Sequence, residues 1–266
     1  MSNSILRRTA VAAAITATAA CALPAVGTAL PGSSDAKAGP FCASLSTENT
    51  PNGWGVPFED EQGQKASYTA DRILDEDGGL VFSVTDSSER RAWYSAAGTA
   101  PETVTLADIV DKEIGFAERA DTSRASFQIR LLGTTGGKFD NGFTTLVWVA
   151  AGNDAADTAD GARHTKLQDG LWWSTQNIDG APGRKAVPLA DIAKANPNAT
   201  VEHYGVSIGT GSTNITTLVD EIVFNGCTTN FAKNDPEPGT GSDSGSDSGS
   251  GGGSSSGSLG NLFGSS

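Results

Sequence analysis

Hydrophobic and polar residues alternate with a period of two along much of the chain between residues 80 and 224. In GLVFSVTD and RASFQIRLLG the alternating apolar positions are Leu80, Phe82, Val84, Phe127, Ile129 and Leu131. This spacing is typical of strands that bury one face. The run FTTLVWVAAG is apolar on both faces, as a central sandwich strand is. Glycine, asparagine and aspartate clusters separate the runs, so the pattern predicts a mostly β domain.

Two short segments, TVTLADIVDK and AVPLADIAKANP, carry apolar residues at helical spacing instead. Leu106 and Ile109 repeat in the first segment, and Leu189 and Ile192 repeat in the second, which has Pro188 at its start. Few helices among many strands favour a two-sheet antiparallel, jelly-roll-like sandwich with two short helical crossovers.

The first residues have the anatomy of a secretory signal peptide. A pair of arginines precedes an alanine-rich apolar run that ends in small residues. Cleavage after Ala29 or after Ala38 fits the small-residue rule, and Ala38 is preferred because a strand-like segment follows it. We therefore expect a signal peptide over 1–38. The string TAAC at Cys21 resembles a lipoprotein box but lacks its leucine.

The last residues, 235–266, form a tract rich in glycine, serine and aspartate that buries too little apolar surface to order itself. It is expected to be a flexible tether ending in LGNLFGSS. One β-sandwich domain is therefore predicted over 39–234. No run after the leader has the eighteen or so apolar residues of a transmembrane helix.

The chain is acidic, with a formal net charge of −13. This charge argues against nucleic acid or anionic lipid as a partner. It also leaves carboxylates available for calcium, which prefers oxygen ligands. After the leader two cysteines remain, Cys42 and Cys227, near the two ends of the domain. In an exported chain such a pair most often forms a disulfide, which would make the first and last strands neighbours.

Several segments together resemble a sandwich domain of secreted actinobacterial proteins that are mostly of unknown function. The segments are SFQIRLLGTTG, FTTLVW, LWWST, PLADIAKANPNATVEHYGVSIGTGS and TTLVDEIVFNGCTTNF, which cover roughly 126–231. The resemblance implies a sandwich with the architecture of carbohydrate-binding modules, and no catalytic motif comes with it.

Catalytic patterns are absent from the sequence. The two histidines, His164 and His203, accompany no GxSxG elbow and no zinc spacing. The ExDxxE string of lectin-like sandwich hydrolases is missing as well. A hydrolase is therefore the less favoured hypothesis.

Asp220 is the candidate metal ligand. It shares its strand register with Leu218, Ile222 and Phe224, which would point it toward the core, where a carboxylate needs a partner or a metal. Sandwich modules with a similar last strand often hold a structural calcium at such an aspartate, and the resemblance carries this role to Asp220. If Val219 and its register form the inward set instead, Asp220 is exposed.

Adjacent aromatics in LWWST supply the candidate binding face. Strand alternation groups Leu171 with Trp173 as core, and groups Trp172 with Ser174 and Gln176 on the other face. A tryptophan among hydroxyl and amide groups is suited to stack on a sugar ring. Trp93 could extend this face. Packing under a neighbouring loop is the other role open to Trp172, because large aromatic side chains account for much of the buried area of a protein.

The sequence therefore predicts a secreted, non-catalytic module at the cell envelope that binds a glycan or acts in adhesion. The alternative is a structural or interaction protein whose partner is another envelope protein.

Overall fold

Thirteen strands and two short α-helices form within the residues that the structure, a computed structural model, describes: 42–98, 103–122 and 124–236. The strands are β1 (Leu45–Thr47), β2 (Ser67–Thr69), β3 (Gly79–Val84), β4 (Arg91–Ala96), β5 (Gly115–Arg119), β6 (Ser126–Leu132), β7 (Thr144–Val149), β8 (Ala162–His164), β9 (Leu171–Ser174), β10 (Val187–Pro188), β11 (Thr200–Ile208), β12 (Ile215–Phe224) and β13 (Cys227–Ala232). The helices are α1 (Leu106–Ile109) and α2 (Leu189–Ala195), and 3₁₀ helices occupy Glu59–Gln64 and Leu167–Asp169. The expected signal peptide and nearly all of the expected tail lie outside the described residues.

The strands form two sheets that pack face to face. A seven-stranded sheet has the order β1-β13-β12-β3-β2, with β5 pairing β12 and β8. A six-stranded sheet has the order β10-β9-β7-β6-β11-β4. All strand pairs in these sheets are antiparallel except β1 with β13. The predicted all-β sandwich is confirmed.

The two predicted helical segments are also helices in the structure. α1 follows β4 of the six-stranded sheet and precedes β5 of the seven-stranded sheet, and α2 precedes β11. A capping box fixes the start of α1, because the Thr105 side chain accepts from the Asp108 backbone N–H and the Asp108 side chain accepts from that of Thr105. The buried sides of both helices are the apolar positions seen in the sequence.

A disulfide joins Cys42 and Cys227, whose α-carbons are 5.5 Å apart. β1 lies beside β13, with Ser46 in register with Phe231. The expectation that the first and last strands are neighbours is therefore confirmed, and their pairing is parallel.

Aromatic side chains dominate the core between the sheets. Tyr204 of the six-stranded sheet stacks on Phe224 of the seven-stranded sheet, with ring centroids 4.0 Å apart. Phe82 and Phe127, from the alternating runs of β3 and β6, are fully buried. Because these inward positions alternate with polar ones, the outer face of the six-stranded sheet is left mostly polar. No helix in the described part of the chain is long and apolar enough to cross a membrane.

Candidate functional site

The outer face of the six-stranded sheet forms a cleft of about 460 Å³. Five strands contribute one residue each to a row across this face. In order these residues are Trp173, Val147, Gln128, Gly205 and Tyr94. Neighbouring strands lie about 4.8 Å apart, so the stretch from Trp173 to Gln128 spans about 10 Å. The row places a partly exposed tryptophan at one end of a largely polar floor.

Trp172 and Trp173 lie on the faces opposite to those expected. Trp172 is fully buried, with its ring edge-on to Phe127 at 6.1 Å, whereas Trp173 is partly exposed and lines the cleft. The assignment of Trp173 to the core and of Trp172 to the open face is therefore wrong. Leu171 is 39% exposed. Leu171 and Trp173, the apolar pair that suggested a buried face, therefore lie on the outer face of the sheet.

Hydrogen bonds inside the sandwich explain the reversal. The indole Nε1 of Trp172 donates to the Leu167 carbonyl oxygen at 2.8 Å. The hydroxyl oxygens of Ser174 and Thr144 are 2.7 Å apart, and both residues are fully buried. A polar group that finds a partner can be buried without a large desolvation penalty. Ser174 is therefore interior, contrary to its expected place on the binding face.

The other expected members of the binding face are also placed elsewhere. Trp93 is 7% exposed and packs edge-on against Tyr68 at 5.8 Å, so it belongs to the core. Its neighbour Tyr94 points into the cleft instead. Gln176 is partly exposed just beyond β9, outside the set of residues that lines the cleft.

A chain of hydrogen bonds fixes the floor of the cleft. The Tyr94 hydroxyl donates to Gln128 Oε1 at 2.6 Å, and Gln128 Nε2 donates to Ser207 Oγ at 2.5 Å. Burial and, to a smaller extent, the nearby Glu61 carboxylate raise the pKa of Tyr94 to about 12, so the phenol keeps its proton. Gly205 lies between Tyr94 and Gln128 in the row, and a Cβ there would meet the Trp93 carbonyl oxygen at 2.0 Å. Glycine at 205 thus keeps β4 and β11 in close contact.

One wall of the cleft is an ion-paired cluster around Glu61. Glu61 Oε1 lies 2.6 Å from Arg90 Nη2 and 3.4 Å from Arg130 Nη1. The Arg130 guanidinium also lies over the Phe58 ring, 3.6 Å from its centroid, and 3.7 Å from Glu202. Glu61 Oε2 is buried and has no hydrogen-bond partner among the described residues. The wall is therefore held in place by charge pairing and by the contact of Arg130 with the Phe58 ring.

Asp220 lies at an irregularity in β12. The first half of β12 pairs with β3 and its end pairs with β13, and the register with β5 shifts between Asp220 and Val223. Glu221, inside this bulge, has a left-handed φ of 47°. Asp220 is paired with Ala117, which packs with Leu218 and Ile73 in a small cluster separate from the main core. The expected burial of Asp220 is confirmed, but a loop on the outer face of the seven-stranded sheet covers it.

That loop brings two more carboxylates to Asp220. One carboxylate oxygen each of Asp75, Asp77 and Asp220 lies within 4.8 Å of the others. Asp220 Oδ1 accepts from the backbone N–H groups of Glu221 at 2.7 Å and Phe231 at 2.8 Å. Asp220 Oδ2 is buried and has no hydrogen-bond partner in the described part of the chain. We call these three aspartates the acidic cluster.

Burial is the main cause of the raised pKa values of Asp220 and Asp77. Burial, with smaller contributions from the charges of Asp75 and Asp77, raises the pKa of Asp220 to about 7 against the two backbone hydrogen bonds. The pKa of Asp77 is raised to about 6 by partial burial and by Asp75, with Asn230 acting against the shift. Three carboxylates this close repel one another, and a hard divalent cation such as calcium would relieve the repulsion. The cation would also bind Asp220 Oδ2, which has no hydrogen-bond donor in the described part of the chain.

A second buried carboxylate, Glu118, is satisfied by protein groups. Its Oε1 accepts from the Thr217 hydroxyl at 2.6 Å and from the backbone N–H groups of Arg124 and Ala125 at 3.0 Å. Its Oε2 lies 2.8 Å from His164 Nε2. Glu118 therefore needs no ion, and it fixes the segment that begins β6 at the edge of the cleft.

Comparison of the chain with protein-family models, curated proteins and solved structures finds no match to any of them. The resemblance to actinobacterial exported domains therefore stays a prediction. Sequence reasoning missed Trp173 because it took Ser174 for a surface residue. It missed Asp75 and Asp77, although their acidic run directly before a strand was a signal that could have been noted.

Proposed function

We propose that this protein is a secreted, non-catalytic β-sandwich module that binds a glycan at the cell envelope through the cleft on its six-stranded sheet. Trp173 offers its ring to a sugar face, and Gln128 and Thr175 offer amide and hydroxyl groups beside it. Secretion and envelope location rest on the expected signal peptide. The ligand class rests on the cleft.

The observation that carries the proposal is a partly exposed tryptophan beside unburied polar groups in one open cleft. Stacking on a ring needs an apolar surface, whereas the hydroxyl groups of a sugar need nearby donors and acceptors.

The carboxylates of the cleft support binding over hydrolysis. Glu61 is the only Asp or Glu among the described residues that line it, and it is held by Arg90 and Arg130. Glycoside hydrolysis normally uses two carboxyl groups about 5 to 10 Å apart on either side of the bond. The described lining of the cleft offers one carboxyl group, that of Glu61, which favours binding over hydrolysis.

The test is retention of the protein on cell-wall polysaccharides and on a glycan array, with Trp173→Ala as the variant. A tryptophan that anchors a ligand by stacking contributes about 2 kcal/mol, so affinity should fall roughly 30-fold. Phe139→Ala is the matched control, because Phe139 is 42% exposed and lies outside the cleft. Equal retention of wild type and Trp173→Ala on the polysaccharides and the array would refute the proposal. Capture of envelope proteins with no glycan bound would favour the alternative of a protein-interaction module.

We also propose that the acidic cluster holds a structural calcium ion. Asp75, Asp77 and Asp220 would supply the protein oxygens, and the ion would neutralise their charge and tie β12 to the loop before β3. The support is that Asp220 is fully buried and that its Oδ2 has no hydrogen-bond partner among the described residues. The experiment is unfolding of wild type and Asp220→Asn in EDTA and in calcium, where only wild type should gain stability from calcium.

A further inference from the structure

The side chains that line the cleft carry a net positive charge, whereas the whole chain is acidic. The whole chain has a formal net charge of −13, yet four arginines and one glutamate are the formally charged side chains that line the cleft: Arg90, Arg124, Arg130, Arg184 and Glu61. A concave surface of one sign concentrates ligands of the opposite sign. The net charge of the chain therefore does not describe the field at its candidate binding site.

Two of these arginines are already neutralised. Arg90 and Arg130 share the carboxylate of Glu61, and Arg130 also lies 3.7 Å from Glu202. The Arg130 side chain is 14% exposed and sandwiched near aromatic rings. These two guanidinium groups belong to the wall of the cleft, and the carboxylates of Glu61 and Glu202 largely compensate their charge.

The other two arginines, Arg124 and Arg184, are exposed and form no ion pair within the described residues. An unpaired guanidinium has five N–H donors in a planar fork that matches the two oxygens of a carboxylate or phosphate. The free positive charge of the cleft therefore lies at these two positions.

Buried groups hold the backbone of both arginines in place. The Arg124 N–H donates to Glu118 Oε1 at 3.0 Å, so a buried carboxylate fixes the start of β6. The Arg184 N–H donates to the Ser174 carbonyl oxygen at 2.9 Å, and Arg184 has a left-handed φ of 61° that is uncommon for a residue with a long side chain. This conformation places its guanidinium 5.9 Å from the centre of the Trp173 ring.

We propose that the ligand is an anionic glycan, an inference that rests on the proposed glycan function. Its sugar ring stacks on Trp173, and its acidic groups, carboxylates or phosphate esters along the chain, are bound by Arg184 beside that ring and by Arg124 at the start of β6. The two acidic groups share one chemistry, an oxyanion on a polyhydroxylated chain.

The test measures binding of the full chain to acidic polymers and to matched neutral ones at low and high salt. The probes are polygalacturonate, alginate, the methyl esters of both, phosphorylated dextran, and neutral galactan, mannan and dextran. We expect at least tenfold tighter binding to an acidic polymer than to the neutral ones, and loss of this preference at high salt. Preference for the uronates or for the phosphorylated dextran tells the two acidic groups apart.

Arg184→Gln and Arg124→Gln should each lower the ratio of acidic to neutral affinity several-fold, and the double variant should lose most of this preference. Arg184→Lys should restore part of it, since it keeps the charge and loses the fork. Lys194→Gln is the control, because Lys194 is exposed, lies on α2 outside the cleft and changes the net charge equally.

Equal affinity for the acidic polymers and their methyl esters overturns this inference and leaves the glycan function standing. Unchanged preference in the Arg184→Gln, Arg124→Gln double variant also overturns it. Failure to bind any of the polymers, acidic or neutral, counts against both proposals.

Discussion

Asp220→Asn should have opposite effects on stability with and without calcium. The asparagine keeps Oδ1, which accepts from the backbone N–H groups of Glu221 and Phe231, and replaces the unpartnered Oδ2 with an amide nitrogen. The change therefore removes one negative charge from the acidic cluster and leaves the backbone hydrogen bonds in place.

The pKa of Asp220 sets the size of the effect without a metal. A carboxyl group whose pKa rises on folding binds its proton more tightly in the folded chain. Its contribution to stability is full below the unfolded pKa of 3.8 and is lost as the pH rises to about 7. At about 1.4 kcal/mol per pKa unit, the loss is about 4 kcal/mol.

In chelator at pH 7.5, Asp220→Asn should avoid this loss. The new amide N–H group is itself buried, and leaving it imperfectly paired costs about 1 to 3 kcal/mol. We therefore expect the variant to be more stable than wild type by about 2 kcal/mol, or about 4 to 8 °C in Tm for a domain of this size. Near pH 4 this advantage should disappear, because the wild-type carboxyl is then protonated in the folded chain.

In calcium the order should reverse. Binding to the folded state alone stabilises it by about 2.7 kcal/mol at one hundred times the Kd, and only wild type keeps the ligand set. The assay is thermal and urea unfolding of both proteins at pH 7.5 in EDTA and in millimolar calcium. Asp160→Asn is the control, since Asp160 is an exposed aspartate outside the acidic cluster.

Two results would refute the reasoning about Asp220. If Asp220→Asn is less stable than wild type in EDTA at pH 7.5, then the carboxylate has a favourable partner and is not strained by burial. If calcium raises the Tm of the variant as much as that of wild type, the ion binds elsewhere.

Three further predictions concern the fold that holds the cleft, each measured by urea unfolding. Trp172→Ala should lose about 3 to 5 kcal/mol by leaving a cavity, whereas Trp173→Ala should stay within about 1 kcal/mol of wild type; equal losses would contradict the assignment of faces. Glu118→Ala should lose about 3 to 5 kcal/mol, because it leaves buried donors without their acceptor, and a loss below 1 kcal/mol would argue against this network. Gly205→Ala should lose about 1 to 3 kcal/mol or more, since its Cβ would press on the carbonyl oxygen of Trp93; a neutral result would show that β4 can move away freely.

Much of the fold was predictable because it follows from local periodicity. Leu80, Phe82 and Val84 alternate with polar neighbours, and all three are buried in β3. The LADI segments have helical spacing, and both are helices. The pairing of Cys42 with Cys227 followed from their number and positions, since no other cysteine remains after the expected leader.

The candidate site was less predictable because polarity does not determine which face of a strand is buried. Ser174 looked like a surface residue, yet its hydroxyl pairs with that of Thr144, which is thirty residues earlier in the chain. This hydrogen bond and the one from the Trp172 indole to the Leu167 carbonyl oxygen satisfy the polar groups of the buried face, so Trp173 is the one left on the cleft. Burial of Asp220 was foreseen, but a bulge places it under a loop and not between the sheets.

The sequence by itself determined the class of fold, the two helices, the longer strands such as β3, β6, β7 and β12, and the disulfide, because these depend on spacing and residue type along the chain. Tertiary structure decided which tryptophan faces the solvent, which aspartates meet at Asp220 and how four arginines gather in one cleft of an acidic protein. Those facts depend on contacts between strands far apart in the chain, where the desolvation of each polar group is set by the partner that folding brings to it.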